Sequence, residues 1–283
     1  MIGQSNLLQS IDKMIENNSF PRFSIIVGQE GSGKNLVVDY IGQKLHTQRV
    51  YMGTMVNNVR DMIDMAYTTS VPILFVLPDA DAMSPQAKNA LLKVAEEPPN
   101  NAYIILTLTD LANTLPTIKS RGIVLNMQPY ERKEIEEYTQ QVFPEVAEND
   151  EQMVYVADVC TTPGEVKALI ETGLLKFQNY VQMVADNIAE VSGANAFKIA
   201  SKVQLKEMTD STKFPLKLFW RAFMMECVDR MNHNDGQMYE PSVYAEGIKI
   251  TARYIQELRV LGINRQNLFD MWVLDVRKAW MTA

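Results

Sequence analysis

A glycine-rich segment near the start of the chain has the spacing of a phosphate-binding loop. Residues 28–35 read GQEGSGKN and fit the pattern G-x-x-x-x-G-K. Glycines let backbone N–H groups turn toward one centre, and the lysine can reach the terminal phosphates of a nucleotide. The alternative interpretation is a glycine-rich turn that binds nothing. The binding residues that this motif predicts are Gly28, Gly31, Ser32, Gly33, Lys34 and Asn35.

The residues that usually hold a metal ion beside such a loop are incomplete. Asn35 stands where a serine or threonine would offer a hydroxyl to Mg²⁺. After the apolar run 71–77, Pro78 stands in the place of the metal-holding aspartate. Asp79, shorter than a glutamate, is the remaining catalytic candidate, so we expect slow or absent hydrolysis. Asp79 and Asp81 fit equally well as solvated acids that cap the next helix.

The elements around the loop alternate between strands and helices. This alternation predicts an α/β domain with a parallel sheet, because continuous apolar runs are typical of strands that helices cover on both faces. The predicted strands occupy residues 23–27, 71–77, 102–107 and 123–125. The predicted helices occupy residues 4–17, 34–45, 57–67 and 85–97.

Strand patterns stop near Glu131, and the rest of the chain has helical periodicity. Three short helices, at residues 131–142, 150–159 and 164–171, predict a small lid, and longer amphipathic segments follow. The predicted domains are an α/β domain at 1–128, a helical lid at 129–174 and an all-α collar at 175–283.

Composition excludes several classes of protein. The 27 Lys and Arg against 34 Asp and Glu give a net charge of −7, which argues against gripping nucleic acid by bulk electrostatics. Two cysteines and two histidines offer no zinc-ligand spacing, so we expect no structural metal. No apolar run is long enough for a membrane span, and the first residues lack a secretion signal. We therefore expect a cytoplasmic protein.

Three motifs in the middle of the chain carry a family resemblance. Residues 87–93 read AKNALLK, residues 96–99 read EEPP and residues 115–121 read LPTIKSR. They resemble the signature of bacterial clamp-loader AAA+ subunits, most closely the delta-prime subunit of DNA polymerase III. The resemblance extends from MIGQ at the start to residues 262–269 and is weak through 175–255.

This chain departs from the family at two points. Gly122 replaces the family's final cysteine, and the four-cysteine zinc module that commonly follows the P-loop helix is absent. The short form fits a phage or mobile-element version as well as a divergent bacterial one.

The resemblance implies roles for individual residues. Lys34 would be the P-loop lysine for ATP, and Thr107 the sensor-1 polar residue, with Thr109 as the alternative. Lys167 would substitute for the sensor-2 arginine. Arg121 would project toward the ATP of a neighbouring subunit, where a guanidinium stabilises charge on the transferring phosphoryl group. The alternative for Arg121 is a surface arginine that caps a strand.

The implied function is that of a clamp-loader subunit with a degenerate ATPase site. It would assemble with other subunits through the collar and help load a sliding clamp onto primed DNA. Two alternatives stay open. One is an autonomous AAA+ ATPase or nucleotide switch, in which Asp79 or Asp81 holds the metal, and the other is a scaffold that binds no nucleotide.

Overall fold

Five short strands pair in parallel to form the sheet of the first of two units. This computed structural model describes residues 2–188, 215–232, 240–258 and 264–282. The order across the sheet is β2-β3-β4-β1-β5. The strands are β1 (Phe23–Val27), β2 (Gln48–Tyr51), β3 (Ile73–Leu77), β4 (Ala102–Leu108) and β5 (Ile123–Asn126). The predicted parallel sheet is confirmed.

Helices cover both faces of this sheet. On one face, α1 (Ser5–Glu16) and α2 (Lys34–Lys44) pack against side chains such as Ile26 and Ile105. On the other, α3 (Val56–Thr68) and α4 (Pro85–Glu96) pack against neighbours such as Ile25 and Ile104. Successive residues of β1 therefore enter opposite cores, as the pleat of a strand requires. This explains why the central strands are apolar at most positions.

The edge strand β2 was not predicted from the sequence. Its four residues, QRVY, are half-buried or exposed, because the strand has a neighbour on one side only. A polar edge strand of four residues shows neither alternation of polar and apolar residues nor an apolar run, so no sequence pattern predicts it. Strand β3 begins two residues later than predicted, since Val71 and Pro72 are exposed and a proline has no N–H for the ladder.

The first unit comprises residues 1–138 and 162–164, and the second comprises 139–161 and 165–283. The three-part division into α/β domain, lid and collar stays a prediction. The loop after β4 leads to the single-turn helix α5 (Pro116–Lys119), and α6 (Arg132–Val142) continues from the first unit into the second.

All regular secondary structure among the described residues of the second unit is helical, which confirms the predicted helical C-terminal part. Its core is aromatic: Trp220 and Trp272 are fully buried, and Phe223 packs edge-on against Trp272 at 4.9 Å between ring centres. Its further helices are α7 (Pro144–Ala147), α8 (Asp150–Val159), α9 (Pro163–Thr172, whose first two residues belong to the first unit), α10 (Leu174–Asn187), α11 (Leu216–Asn232), α12 (Pro241–Glu257) and α13 (Arg265–Thr282). Across the described ranges, no helix combines the length and apolar character needed to cross a bilayer.

Candidate functional site

The glycine-rich loop lies between the end of β1 and the start of α2, as the sequence predicts. Gly31 and Gly33 have φ angles of 77° and 89°, a left-handed conformation that strains any residue with a side chain. Gly28 has a different constraint, because a Cβ there would lie 2.7 Å from Oγ of Ser32. The glycines of the motif are thus required by the shape of the loop and not only by its spacing.

The side chain of Lys34 is hydrogen-bonded to main-chain carbonyl groups of the loop. Its Nζ donates hydrogen bonds to the carbonyl oxygens of Gly28, at 2.8 Å, and of Gln29, at 3.1 Å. The side chain is 9% exposed, and this burial lowers the pKa of Lys34, although nearby acids, foremost Asp79, oppose the shift. The ammonium therefore stands at the N-terminus of α2, where a phosphate would be attracted by both the lysine and the helix end.

Residues 162–164, which are distant in sequence, contact the same loop. The amide of Gly164 donates to the carbonyl of Gly31 at 2.9 Å, and Oγ1 of Thr162 donates to the carbonyl of Glu30 at 3.2 Å. A Cβ on Gly164 would lie 2.4 Å from Cα of Gly31, so only glycine fits there without a shift of backbone. Residues 162–164 belong to the first unit, whereas the residues on either side of them, Thr161 and Glu165, belong to the second.

Replacing Gly164 with alanine is expected to destabilise the protein by about 1 to 3 kcal/mol, the usual cost of forcing an extra carbon into a packed site. Because the obstructing atom is backbone, no rotamer change relieves the clash. Denaturant unfolding measures the change, with Lys167→Ala on the exposed side of α9 as a control within about 0.5 kcal/mol of wild type. An unchanged free energy of unfolding in Gly164→Ala would contradict the contact.

Asp79 and Thr107 are brought together at the ends of β3 and β4. The amide of Asp79 donates to Oγ1 of Thr107 at 3.1 Å, and Asp79 itself has a left-handed φ of 49°. Thr107 is 1% exposed, whereas Asp79 is exposed. The hydroxyl of Thr107 therefore fixes the turn that presents Asp79, and the sensor-1 and catalytic roles stay predictions.

Asp81 is not a solvated helix cap, and that interpretation is wrong. The residue is 7% exposed, and its carboxylate accepts hydrogen bonds from the amides of Thr109, at 2.7 Å, and Asp110, at 3.1 Å. The side-chain amide of Asn113 adds a third at 3.3 Å. A buried carboxylate is tolerated here because these donors replace water. Helix α4 is capped instead by Ser84, which accepts from the amide of Ala87.

Arg121 lies at the exposed surface between α5 and β5. Its Nη2 forms an ion pair with Oε1 of Glu96, the last residue of α4, at 2.5 Å. Its Nη1 donates to the carbonyl of Thr117 at 2.8 Å. The sequence motifs EEPP and LPTIKSR, which were singled out separately, therefore meet through one guanidinium.

Lys167, the sensor-2 candidate, lies on α9 in the second unit. Its side chain is exposed, and Nζ is 3.7 Å from Oε1 of Glu171 one turn further along the helix. The predicted role stays a prediction.

Sequence reasoning missed Tyr130, which lies against the loop. Its hydroxyl donates to the carbonyl of Ser32 at 2.8 Å, and a Cβ on Gly3 would touch its ring at 3.0 Å. Beside it, Gln4 is 4% exposed and exchanges two hydrogen bonds of 2.8 Å with the main chain of Gln128. No motif marks Tyr130, so the sequence offered no signal beyond an aromatic residue that follows the last strand.

The second unit contains a partly buried ion pair. Arg221 and Glu165 are 2.5 Å apart, with side chains 15% and 16% exposed. Burial by itself would raise the pKa of Glu165, but the hydrogen bond and charge of Arg221 and the amide of Thr161 lower it below its ordinary value.

Within the described part of the chain, no three acidic, histidine or cysteine side chains form a metal-binding group.

Comparison with known proteins supports the family suggested by the central motifs. A family model described as DNA polymerase III, delta subunit, matches residues 54–131. The chain is 26% identical over 157 residues to a probable replication factor C subunit 5 of Caenorhabditis elegans, covering 47% of this chain and 42% of that protein. It is 25% identical over 150 residues to replication factor C subunit 3 of Schizosaccharomyces pombe, covering 48% and 44% respectively.

The fold agrees with these sequence matches. A DNA polymerase III gamma subunit-related protein of Thermotoga maritima superposes with a TM-score of 0.52 at 15% identity, covering 97% of this chain and 99% of the other. Over residues 54–131 the chain is similar to the DNA polymerase III delta-subunit family, and the two relatives support its resemblance to clamp-loader subunits. The predicted resemblance and fold class are thereby confirmed, and the matched residues include the AKNALLK, EEPP and LPTIKSR motifs. This chain spans less than half the length of the two curated relatives.

Proposed function

We propose that the chain is a clamp-loader subunit of a DNA replication complex that binds ATP at a degenerate site and supplies Arg121 to the ATP of a neighbouring subunit. It would assemble with the other subunits and help place a sliding clamp on primed DNA in the cytoplasm. The observation that carries the proposal is an exposed arginine at the end of the LPTIKSR motif, in a chain whose own metal-holding residues are incomplete.

The residues of the loop fit a triphosphate. Backbone N–H groups of the loop and the N-terminus of α2 would face the phosphates, and Lys34 would exchange its two carbonyl acceptors for phosphate oxygens. Gly28, Gly31 and Gly33 supply the turn, Ser32 lies within it, and Asn35 follows it in α2. Lys167 is proposed, on the family resemblance alone, as the substitute for the sensor-2 arginine.

The residues around the loop fit a catalytic Mg²⁺ poorly. Asn35 has no hydroxyl, Pro78 has no side-chain oxygen, and the oxygens of Asp81 already accept three hydrogen bonds. This arrangement leaves Asp79 as the acid of the site, and it disfavours an autonomous ATPase that relies on Asp81. We therefore expect ATP binding without appreciable turnover by the isolated chain.

Measurement of ATP binding and steady-state turnover on the isolated chain separates the alternatives. Binding without turnover supports the degenerate subunit. Steady turnover would instead support an autonomous ATPase, and absence of binding a nucleotide-free scaffold.

Mg²⁺ is expected to tighten ATP binding by less than about tenfold, because two of the usual metal contacts are missing. Titrations of ATP with and without Mg²⁺ measure this. The matched variant Asn35→Thr restores a hydroxyl at the loop and should show the larger Mg²⁺ dependence. A dependence already large in the wild type, and unchanged in Asn35→Thr, would contradict the account of the site.

A further inference from the structure

The guanidinium of Arg121 is engaged within its own chain. Nη2 is paired with Glu96, and Nη1 is bonded to the carbonyl of Thr117, with Oγ of Ser120 at 3.4 Å. The acceptors come from two elements, the C-terminal end of α4 and the turn of α5. Both ends of the planar fork are therefore occupied.

A guanidinium cannot keep this arrangement and also serve a phosphate on another subunit. Its five N–H donors lie in one rigid plane, and a bidentate contact through Nη1 and Nη2 competes with the acceptors that these two nitrogens have now, Thr117 and Glu96. A triphosphate carries more negative charge than one carboxylate and can accept a bidentate contact, whereas Glu96 accepts from Nη2 alone. It can therefore take the arginine away from Glu96 when a neighbour presents it.

We propose that Glu96 is a latch that holds Arg121 back until a neighbouring subunit presents nucleotide. The proposal rests on the proposed role of Arg121 in trans and adds its regulation. The side chains of Glu96 and Arg121 are 51% and 32% exposed, so solvent weakens the pair and the latch opens readily. An exposed pair of this kind is expected to bias the equilibrium by about two- to fivefold.

Arginine modification on the isolated full chain tests the latch directly. The reagent is phenylglyoxal, which reacts with free guanidinium groups, and mass spectrometry follows the rate at Arg121 with the exposed Arg60 as internal reference. Glu96→Gln is expected to raise the rate at Arg121 by about two- to fivefold. Glu97→Gln, one residue further along and also exposed, is the matched control and should leave the rate unchanged. Equal rates in Glu96→Gln and wild type would overturn the latch.

ATP turnover by the assembly separates failure of the latch from failure of the proposed function. With the chain titrated into its copurified partner subunits, Glu96→Gln should reach half-maximal turnover at a concentration about two- to fivefold lower. If Arg121→Ala lowers turnover but Glu96→Gln shifts nothing, the latch is overturned and the trans role stands. If Arg121→Ala has no effect, the proposed function fails, whatever the reactivity of Arg121.

Discussion

Replacing Lys34 with alanine should lower the affinity of the isolated chain for ATP by about 10- to 100-fold. A hydrogen bond to a charged group contributes roughly 1.5 to 3 kcal/mol, and about 1.4 kcal/mol corresponds to a factor of ten in affinity. Lys34 is the cation that the loop holds at the N-terminus of α2, with Nζ within 3.1 Å of two loop carbonyls. Isothermal titration of ATP into each protein measures the change.

The control for this variant lies on the same helix. Lys44 is at the opposite end of α2, where Nζ pairs with Asp12 of α1 at 3.0 Å. Lys44→Ala removes the same charge from the chain and should leave ATP affinity unchanged. If Lys34→Ala binds ATP as tightly as the wild type, ATP does not bind at this loop. The alternative interpretation of residues 28–35, a glycine-rich turn that binds nothing, would then be correct.

Replacing Arg121 with alanine should leave the isolated chain nearly unchanged and impair the assembly. An exposed ion pair contributes at most about 1 kcal/mol to folding, so the thermal midpoint and ATP affinity should stay close to wild type. In the assembly one site loses the charge partner of its transition state, a loss of about one order of magnitude or more in turnover. Arg121→Lys should not restore the rate fully, because a single ammonium cannot reproduce the planar fork.

The elements that hold the loop could be predicted because their signals are local. Strand β1 was predicted at its observed bounds from five apolar and small residues ahead of Gly28, and α4 ended within one residue of its prediction. Strand β1 lies inside the sheet and α4 packs against it, so hydrophobic periodicity and turn residues suffice to locate them. The family motifs then supplied the role expected for Arg121.

The contacts that fix the site could not be predicted because they join residues far apart in sequence. Tyr130 meets Ser32, and Gly164 meets Gly31, through carbonyl groups whose direction no residue type reveals. Asp81 is a further example, because the amides that bind its carboxylate belong to residues 28 and 29 positions away. The local sequence around Asp81 is therefore compatible both with an exposed helix cap and with a buried carboxylate that holds a loop. The hydrogen-bond partners of a polar side chain near a turn are determined by the tertiary fold and not by the neighbouring sequence.

ATP turnover by the reconstituted assembly tests most directly whether this chain acts on the ATP of a neighbour. Assemblies that contain the wild-type chain or Arg121→Ala are compared at equal occupancy, which is verified by the stoichiometry of each preparation. We expect turnover with Arg121→Ala to fall by about tenfold or more, while the isolated chain shows no appreciable turnover of its own. Equal rates in the two assemblies would contradict the trans role of Arg121 and leave the chain as a structural member of the complex.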